Sequence, residues 1–327
     1  MLRDAFRSLS RFSNLQTLQF DFLEGSWPEH KADYFSHFVD IQLDIWRSLE
    51  NTPLPRLQTL SIGSMITHFP RILDETDPFL ALFRTLDTLS ISVVTPSQPL
   101  NSFVPEGILR FNDTLSCMLT AARNITSLEL GLWRLLSPTC EPFAFEALVF
   151  PALTALSLHN IMLQGAPDPD PDAPPSPDPP LEIPDEGPKF TVETFILNHS
   201  ATLKHLALYN CAVSAMHGSW HRVFKRFGAQ LPELIEFASM TSVSGLSFPY
   251  ARDIGRGRYL VMPSIRQDPQ DVAALEHFQT AVMFRRNSMA FDPVPSAGLK
   301  SRFRCPPRSA IFNAKGRQAL HVSDLAN

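Results

Sequence analysis

The chain has 327 residues, 44% of them apolar, enough to fold, and its net charge of −5 argues against nucleic acid as the main partner. Four cysteines (Cys117, Cys140, Cys211, Cys305) stand far apart with no C-x-x-C pair, which argues against a structural zinc site and a disulfide scaffold. No apolar run reaches the ~20 residues of a membrane helix, and the opening Met-Leu-Arg-Asp-Ala-Phe-Arg lacks a secretory apolar stretch, so a reducing cytoplasmic or nuclear compartment is expected.

Arg3, Arg7 and Arg11 loosely resemble a presequence, but a first amphipathic helix leading into Leu15 is the simpler reading. At Leu15 a pattern begins: leucine, two variable residues, leucine, one variable residue, an apolar residue. It reads Leu15-Gln-Thr-Leu18-Gln-Phe20, then Leu57-Gln-Thr-Leu60-Ser-Ile62, then Leu86-Asp-Thr-Leu89-Ser-Ile91. It returns as Ile125-Thr-Ser-Leu128-Glu-Leu130, Leu153-Thr-Ala-Leu156-Ser-Leu158 and Leu203-Lys-His-Leu206-Ala-Leu208. A weaker seventh copy is read at Leu231-Pro-Glu-Leu234-Ile-Glu-Phe237. This is the strand signature of a leucine-rich repeat.

Between the strands, apolar residues recur at helical spacing. Tyr34 to Glu50 carries such a stripe, Asp77-Pro78 reads as an N-cap and first helical residue, and Asn112 or Asp113 is expected to cap Thr114 to Ala122. Phe190 to Asn198 and Trp220 to Phe227 are two further helices. Val272 to Arg286 is a closing helix, with Leu275, Phe278, Val282 and Met283 as one stripe. The expected fold is α/β: an irregular leucine-rich-repeat solenoid with a curved parallel sheet inside and helices outside.

Five segments follow. Repeats one to five occupy 1–164, and a Pro/Asp-rich insert occupies 165–188. Repeats six and seven occupy 189–240, a capping region 241–290, and a basic tail 291–327. The first leucines of repeats five and six are 50 residues apart, and removing the 24-residue insert leaves 26, within the usual repeat length of ~20–29. Its ten prolines and seven acidic residues give an extended, unpacked loop. Lys300 to Arg317 carries six basic and no acidic residues and reads as a solvated tail.

Catalytic motifs are missing. Gly255-Arg-Gly257-Arg is not a phosphate loop, and no G-x-S-x-G elbow occurs. His217 and His221 lack the Glu of H-E-x-x-H, and Asp168, Asp170 and Asp172 lack the glycine and terminal Glu of a calcium loop. No cofactor or metal is expected. The sequons at Asn112, Asn124 and Asn198 read as chance matches without a secretory signal.

The informative residues are those pointing away from the leucines. They are hydroxyl-rich toward the N-terminal repeats, then gain His159, Lys204, His205 and Tyr209, and with Glu129 these are the candidate partner-binding residues. The expected partner is a protein seated on the concave face.

Phe195 to Cys211, Gly218-Ser-Trp220-His-Arg-Val-Phe224 and Asp271-Val-Ala-Ala-Leu275-Glu-His-Phe278 resemble the later repeats and closing helix of fungal F-box/leucine-rich-repeat proteins. The resemblance covers roughly residues 12–286. It implies a non-catalytic module that selects substrates for a cullin-type ubiquitin ligase. The family's N-terminal F-box is not found ahead of the first repeat, so docking to the cullin adaptor is not expected of this chain. The competing readings are a structural scaffold or degenerate paralogue without ligase coupling, and an enzyme of unrecognised type.

Overall fold

The amide of each repeat's first leucine closes a tight turn onto the carbonyl three residues before it. Leu15 bonds Phe12, Leu57 bonds Leu54, Leu86 bonds Phe83, Ile125 bonds Ala122, Leu153 bonds Phe150 and Leu234 bonds Leu231, all at 3.0–3.3 Å. In the sixth repeat Leu203 reaches one residue further, to His199, at 2.9 Å. The turn sets the chain direction for the strand that follows. The computed structural model describes residues 8–22, 32–66, 77–94, 105–132, 145, 148–163, 192–214, 218–240, 249–253, 259–262 and 268–290.

Seven of these strands form one parallel sheet: β1 (Thr17–Asp21), β2 (Thr59–Ile66), β3 (Thr88–Val94), β4 (Ser127–Leu132), β5 (Ala155–His159), β7 (His205–Tyr209) and β9 (Glu236–Met240). They lie in chain order with β1 and β9 at the edges, so the sheet is open. Met162–Leu163 (β6) and Ala212–Ser214 (β8) pair in a second, four-stranded sheet with Tyr250–Asp253 (β10) and Tyr259–Met262 (β11). Among the described residues only β10 and β11 run antiparallel. The helices are α1 (Ala32–Glu50), α2 (Pro78–Phe83), α3 (Pro105–Ala121), α4 (Val192–Asn198), α5 (Trp220–Gln230) and α6 (Pro269–Ala290).

The register aligns the repeats residue for residue. Leu18, Leu60, Leu89, Leu128, Leu156 and Leu206 stand in one row across the sheet. Phe20, Ile62, Ile91, Leu130, Leu158 and Leu208 form a second. Both rows point into one core with the helices' apolar faces, including Trp46, Phe79, Phe83, Phe111, Phe195 and Phe224. Leu18 departs from the expected burial: it is half-buried, because β1 is an edge and its row neighbour lies on one side only. The seventh copy is also read three residues early. Phe237, not Leu234, pairs with Leu206, so Leu234 is the first leucine of that repeat and Leu231 the turn carbonyl before it.

Polar groups are placed where the ladder would otherwise end. Gln42 of α1, wholly buried, donates to the Ile66 carbonyl at 3.2 Å and accepts from the Ile66 amide at 2.8 Å, extending β2 by one side-chain rung. Asp77 caps α2, accepting from the Phe79 amide at 2.9 Å with Pro78 in the first turn, as expected. Asn112 and Asp113 do not cap. The helix starts at Pro105, a position φ-compatible with a first turn, and both residues lie inside it. Asn160 and Asn210 follow β5 and β7 with φ of 56° and 51°, turning the chain into β6 and β8. Asn tolerates that left-handed conformation better than most residues.

The last helix seals the row end on α5. Asp271, at the start of α6, accepts from the His221 amide at the start of α5 and from the Tyr250 hydroxyl. Arg285, near the end of α6, donates to the carbonyls of Gly228 and Leu231 at 2.7 and 2.9 Å, at the end of α5. The two helices therefore run parallel, with an acidic group at one helix's N-terminus and a guanidinium at its C-terminus, the favourable sense for its dipole. Leu275, Phe278 and Val282 are buried in this seam, but Met283 is 58% exposed. At 100° per residue the seam runs 271, 275, 278, 282, 285, and Met283 falls off it. The insert, the tail and His217 lie outside the described residues.

His199 joins the fifth repeat to the sixth. Its Nε2 accepts from the Phe150 amide at 3.0 Å, and its Nδ1 donates to the Phe195 carbonyl at 2.7 Å. The ring stacks on Phe150 and meets Phe195 edge-on. Burial holds its pKa below the ordinary 6.5, with the Phe195 bond opposing part of that shift.

Two stability measurements follow. Leu128→Ala removes a 1%-exposed side chain from the centre of the row and should cost ~2–5 kcal/mol in denaturant unfolding, whereas Leu18→Ala at the edge should cost less. For His199 the native state binds its proton less tightly than the unfolded chain. Its contribution is therefore fully present above the ordinary 6.5 and is lost as pH falls toward the lowered native value. Unfolding free energy should drop in the wild type as pH falls below the ordinary 6.5, and His199→Gln should be less stable at pH 7.5 but show a flatter dependence there.

Candidate functional site

The face opposite the helices is built from strand residues of the other parity. Three columns cross it. The first reads Thr17, Thr59, Thr88, Ser127, Ala155, His205, Glu236. The second reads Gln19, Ser61, Ser90, Glu129, Ser157, Ala207, Ala238. The third starts at Asp21 opposite Gly63 and ends with Ser92, Gly131, His159, Tyr209 and Met240. The Asp21 carboxyl lies over Gly63, where an added Cβ would sit 2.5 Å from it. A register shift follows there, with Ser64 at φ 52°.

The His, Tyr and Glu side chains of the face occur toward β9, and they surround a floor of small ones. Ala155, Ser157 and Ala207 are buried at 7%, 9% and 4% exposure although they point to the outer face. Glu129, His159, Tyr209, His205 and Glu236 rise around them, from four different strands. They ring a floor of small side chains over β4, β5, β7 and β9.

Its rim is fixed by side-chain bonds. His159 Nε2 lies 3.1 Å from Glu129 Oε1 and 3.0 Å from Ser157 Oγ. Ser90 Oγ donates to Glu129 Oε2 at 3.3 Å. The His159 and Tyr209 rings lie 4.6 Å apart at 31°. On the next pair of strands His205 Nδ1 is 3.1 Å from Glu236 Oε2. The His159 hydrogen bond holds the Glu129 carboxyl below the ordinary 4.5, against the opposing effect of burial. Glu129 is therefore an anion at neutral pH, and its side chain is still 51% exposed.

Ser157, His159 and Glu129 do not make a nucleophile–base–acid relay. Such a relay uses the two ring nitrogens for different partners, whereas here serine and carboxylate both face Nε2. An Nε2–H donated to Glu129 leaves no base for the serine hydroxyl. Among the described residues no three His, Cys, Asp or Glu side chains are grouped to hold a metal. Cys211 is buried and donates to the Leu158 carbonyl, and burial pushes its thiol up to about 12. His221 lies on α5, its amide held by Asp271.

Of the five residues singled out from sequence, Glu129, His159 and Tyr209 come together, and His205 stands on the same face at the other end of β7, paired with Glu236. Lys204 does not join them. It is exposed one residue before β7, off the three columns, where its carbonyl accepts from the Ile235 and Glu236 amides. Sequence reasoning missed Glu236, Ser157 and Ser90. Glu236 was hidden by the three-residue misreading of the last repeat. Ser157 stood in the right column, and its contact with His159 two residues along the same strand was the available signal.

No family model matches the chain, and neither a curated protein nor a solved structure matches it. No helix among the described residues is long and apolar enough to cross a membrane.

The Glu129 shift is directly measurable. In an NMR pH titration the Glu129 carboxyl should titrate below the ordinary 4.5, and in His159→Phe its midpoint should move up, since the largest acid-strengthening bond is gone.

Proposed function

We propose that the chain is an irregular leucine-rich-repeat solenoid that works as a protein-binding module through the outer face of its seven-stranded sheet. Parallel sheets in most α/β proteins are covered on both faces. Among the described residues the helices pack on one face, and the other presents Thr, Ser and Gln columns that end in an aromatic and charged cluster. That one-sided covering carries the reading. A face of alternating strand residues offers partners a broad, pre-formed surface, and small residues between large anchors supply shape without a side-chain entropy cost. His159, Tyr209 and His205 are the anchors.

The likeness to F-box/leucine-rich-repeat proteins supports a refinement of this reading, in which the bound partner is a ligase substrate. No protein of that family matches, so the refinement rests on the repeat pattern alone.

The test is affinity capture from the native cell extract, wild type against His205→Ala/Tyr209→Ala, with circular dichroism verifying the fold. Truncating two such anchors should weaken capture by roughly 30- to 1000-fold, since one aromatic hot spot is worth ~2–4 kcal/mol. An unchanged set of captured proteins would reject this face. A cullin adaptor in that set would establish ligase coupling.

A further inference from the structure

The outward residues of the seven strands comprise three carboxylates, Asp21, Glu129 and Glu236, and not one Lys or Arg. Among the described residues, Lys204, Arg56, Arg84 and Arg123 lie in the segments that precede the strands, outside the columns. Glu129 and Glu236 keep 51% and 39% of their side-chain surface exposed while each is oriented by a histidine. Each carboxylate therefore remains accessible to an incoming cation. We infer that the outer face over β4–β9 recognises an extended basic peptide, with one Arg or Lys on Glu129 and a second on Glu236. The inference rests on the outer face being the binding surface.

The geometry sets the spacing of the two cations. Glu129 and Glu236 are three strands apart, about 14 Å at ~4.8 Å per strand, and offset by two residues along the strands, about 7 Å more in the perpendicular direction. An extended peptide advances ~3.4 Å per residue, so basic residues four or five apart span that diagonal. Between them the diagonal crosses β5 beside Ser157 and β7 between Ala207 and His205, so His205 borders the path. Ser90 and His159 fix the Glu129 carboxylate from two sides, and His205 fixes Glu236, so neither acid must be ordered on binding. Ser90, Ser157, His159 and Tyr209 face Glu129, and His205 faces Glu236.

The probe is a dye-labelled extended peptide of glycine, serine and threonine carrying two arginines with three residues between them. A second peptide carries glutamates in their place. Binding to the full chain is read by fluorescence anisotropy at low and at physiological salt. The arginine peptide should bind at least 10-fold tighter than the glutamate peptide and weaken as salt rises. Glu129→Gln and Glu236→Gln should each weaken it ~5- to 20-fold, while Lys225→Gln on the outer side of α5 leaves it unchanged. Glu129→Lys/Glu236→Lys should reverse the preference, which separates a specific site from lost folding. Equal binding of the two peptides, or loss without reversal in the double lysine variant, would overturn the inference. If that happens while capture from the extract still depends on His205 and Tyr209, the face binds a partner of other chemistry. If capture is also unaffected, the binding-face reading fails with it.

Discussion

Six carbonyl oxygens tie this protein together. The residue after each first leucine offers its carbonyl to two consecutive amides of the next repeat. Gln16 accepts from Gln58 and Thr59, Gln58 from Asp87 and Thr88, and Asp87 from Thr126 and Ser127. Thr126, Thr154 and Lys204 continue the series to Glu236. Each shared carbonyl pins the start of one strand to the start of the next, so the register of the whole sheet is set at one end. Once it is set, the leucines must fall into a single row. The segment between strands is then free to vary in length, because only its endpoints are constrained. That is why steps as unequal as 28 and 42 residues build one regular sheet.

The same pinning decides what the outer face looks like. A strand that slipped by one residue would put leucines outside and Thr and Ser in the core. Fixed register places small side chains side by side over β5 and β7 and stacks the larger ones around them. The Glu129–His159 and His205–Glu236 pairs each bridge adjacent strands, so the rim depends on alignment between repeats more than on any one repeat. Exposed pairs of this kind add little to stability. Their consequence is orientation: a carboxylate held by histidine and serine presents a defined lone pair to an incoming group.

Much of this was legible from residues alone. The six repeats, their pairing order and the membership of the outward columns follow from a period-two strand pattern repeated in step. Asp77-Pro78 announced a helix start because that motif needs no tertiary partner. Other features depended on context. Asn112 and Asp113 look like caps, but apolar residues upstream in Pro105–Phe111 prolong the helix beyond them. The weak last repeat offered two equally spaced readings, and only pairing with β7 chose between them. The two- to four-residue strands of the second sheet are too short to carry a period. Gln42 gave no signal, since a buried glutamine that extends a strand is indistinguishable in sequence from a surface one.

The parallel seam between α5 and α6 has a consequence for how such arrays end. In a strand–helix repeat every helix runs the same way, and α6 follows β9 as α5 follows β7, so it holds the helix position of the last strand. It completes the last unit. Asp271 and Arg285 clasp α5 at both ends, while Phe278 packs on Phe237 of β9 and Asp271 also holds Tyr250 of β10. The terminator is thus keyed to α5 and the strands that follow it. Array length can then change by gain or loss of units upstream while the stop stays intact, which gives evolution, and an engineer, a natural cut point before Trp220.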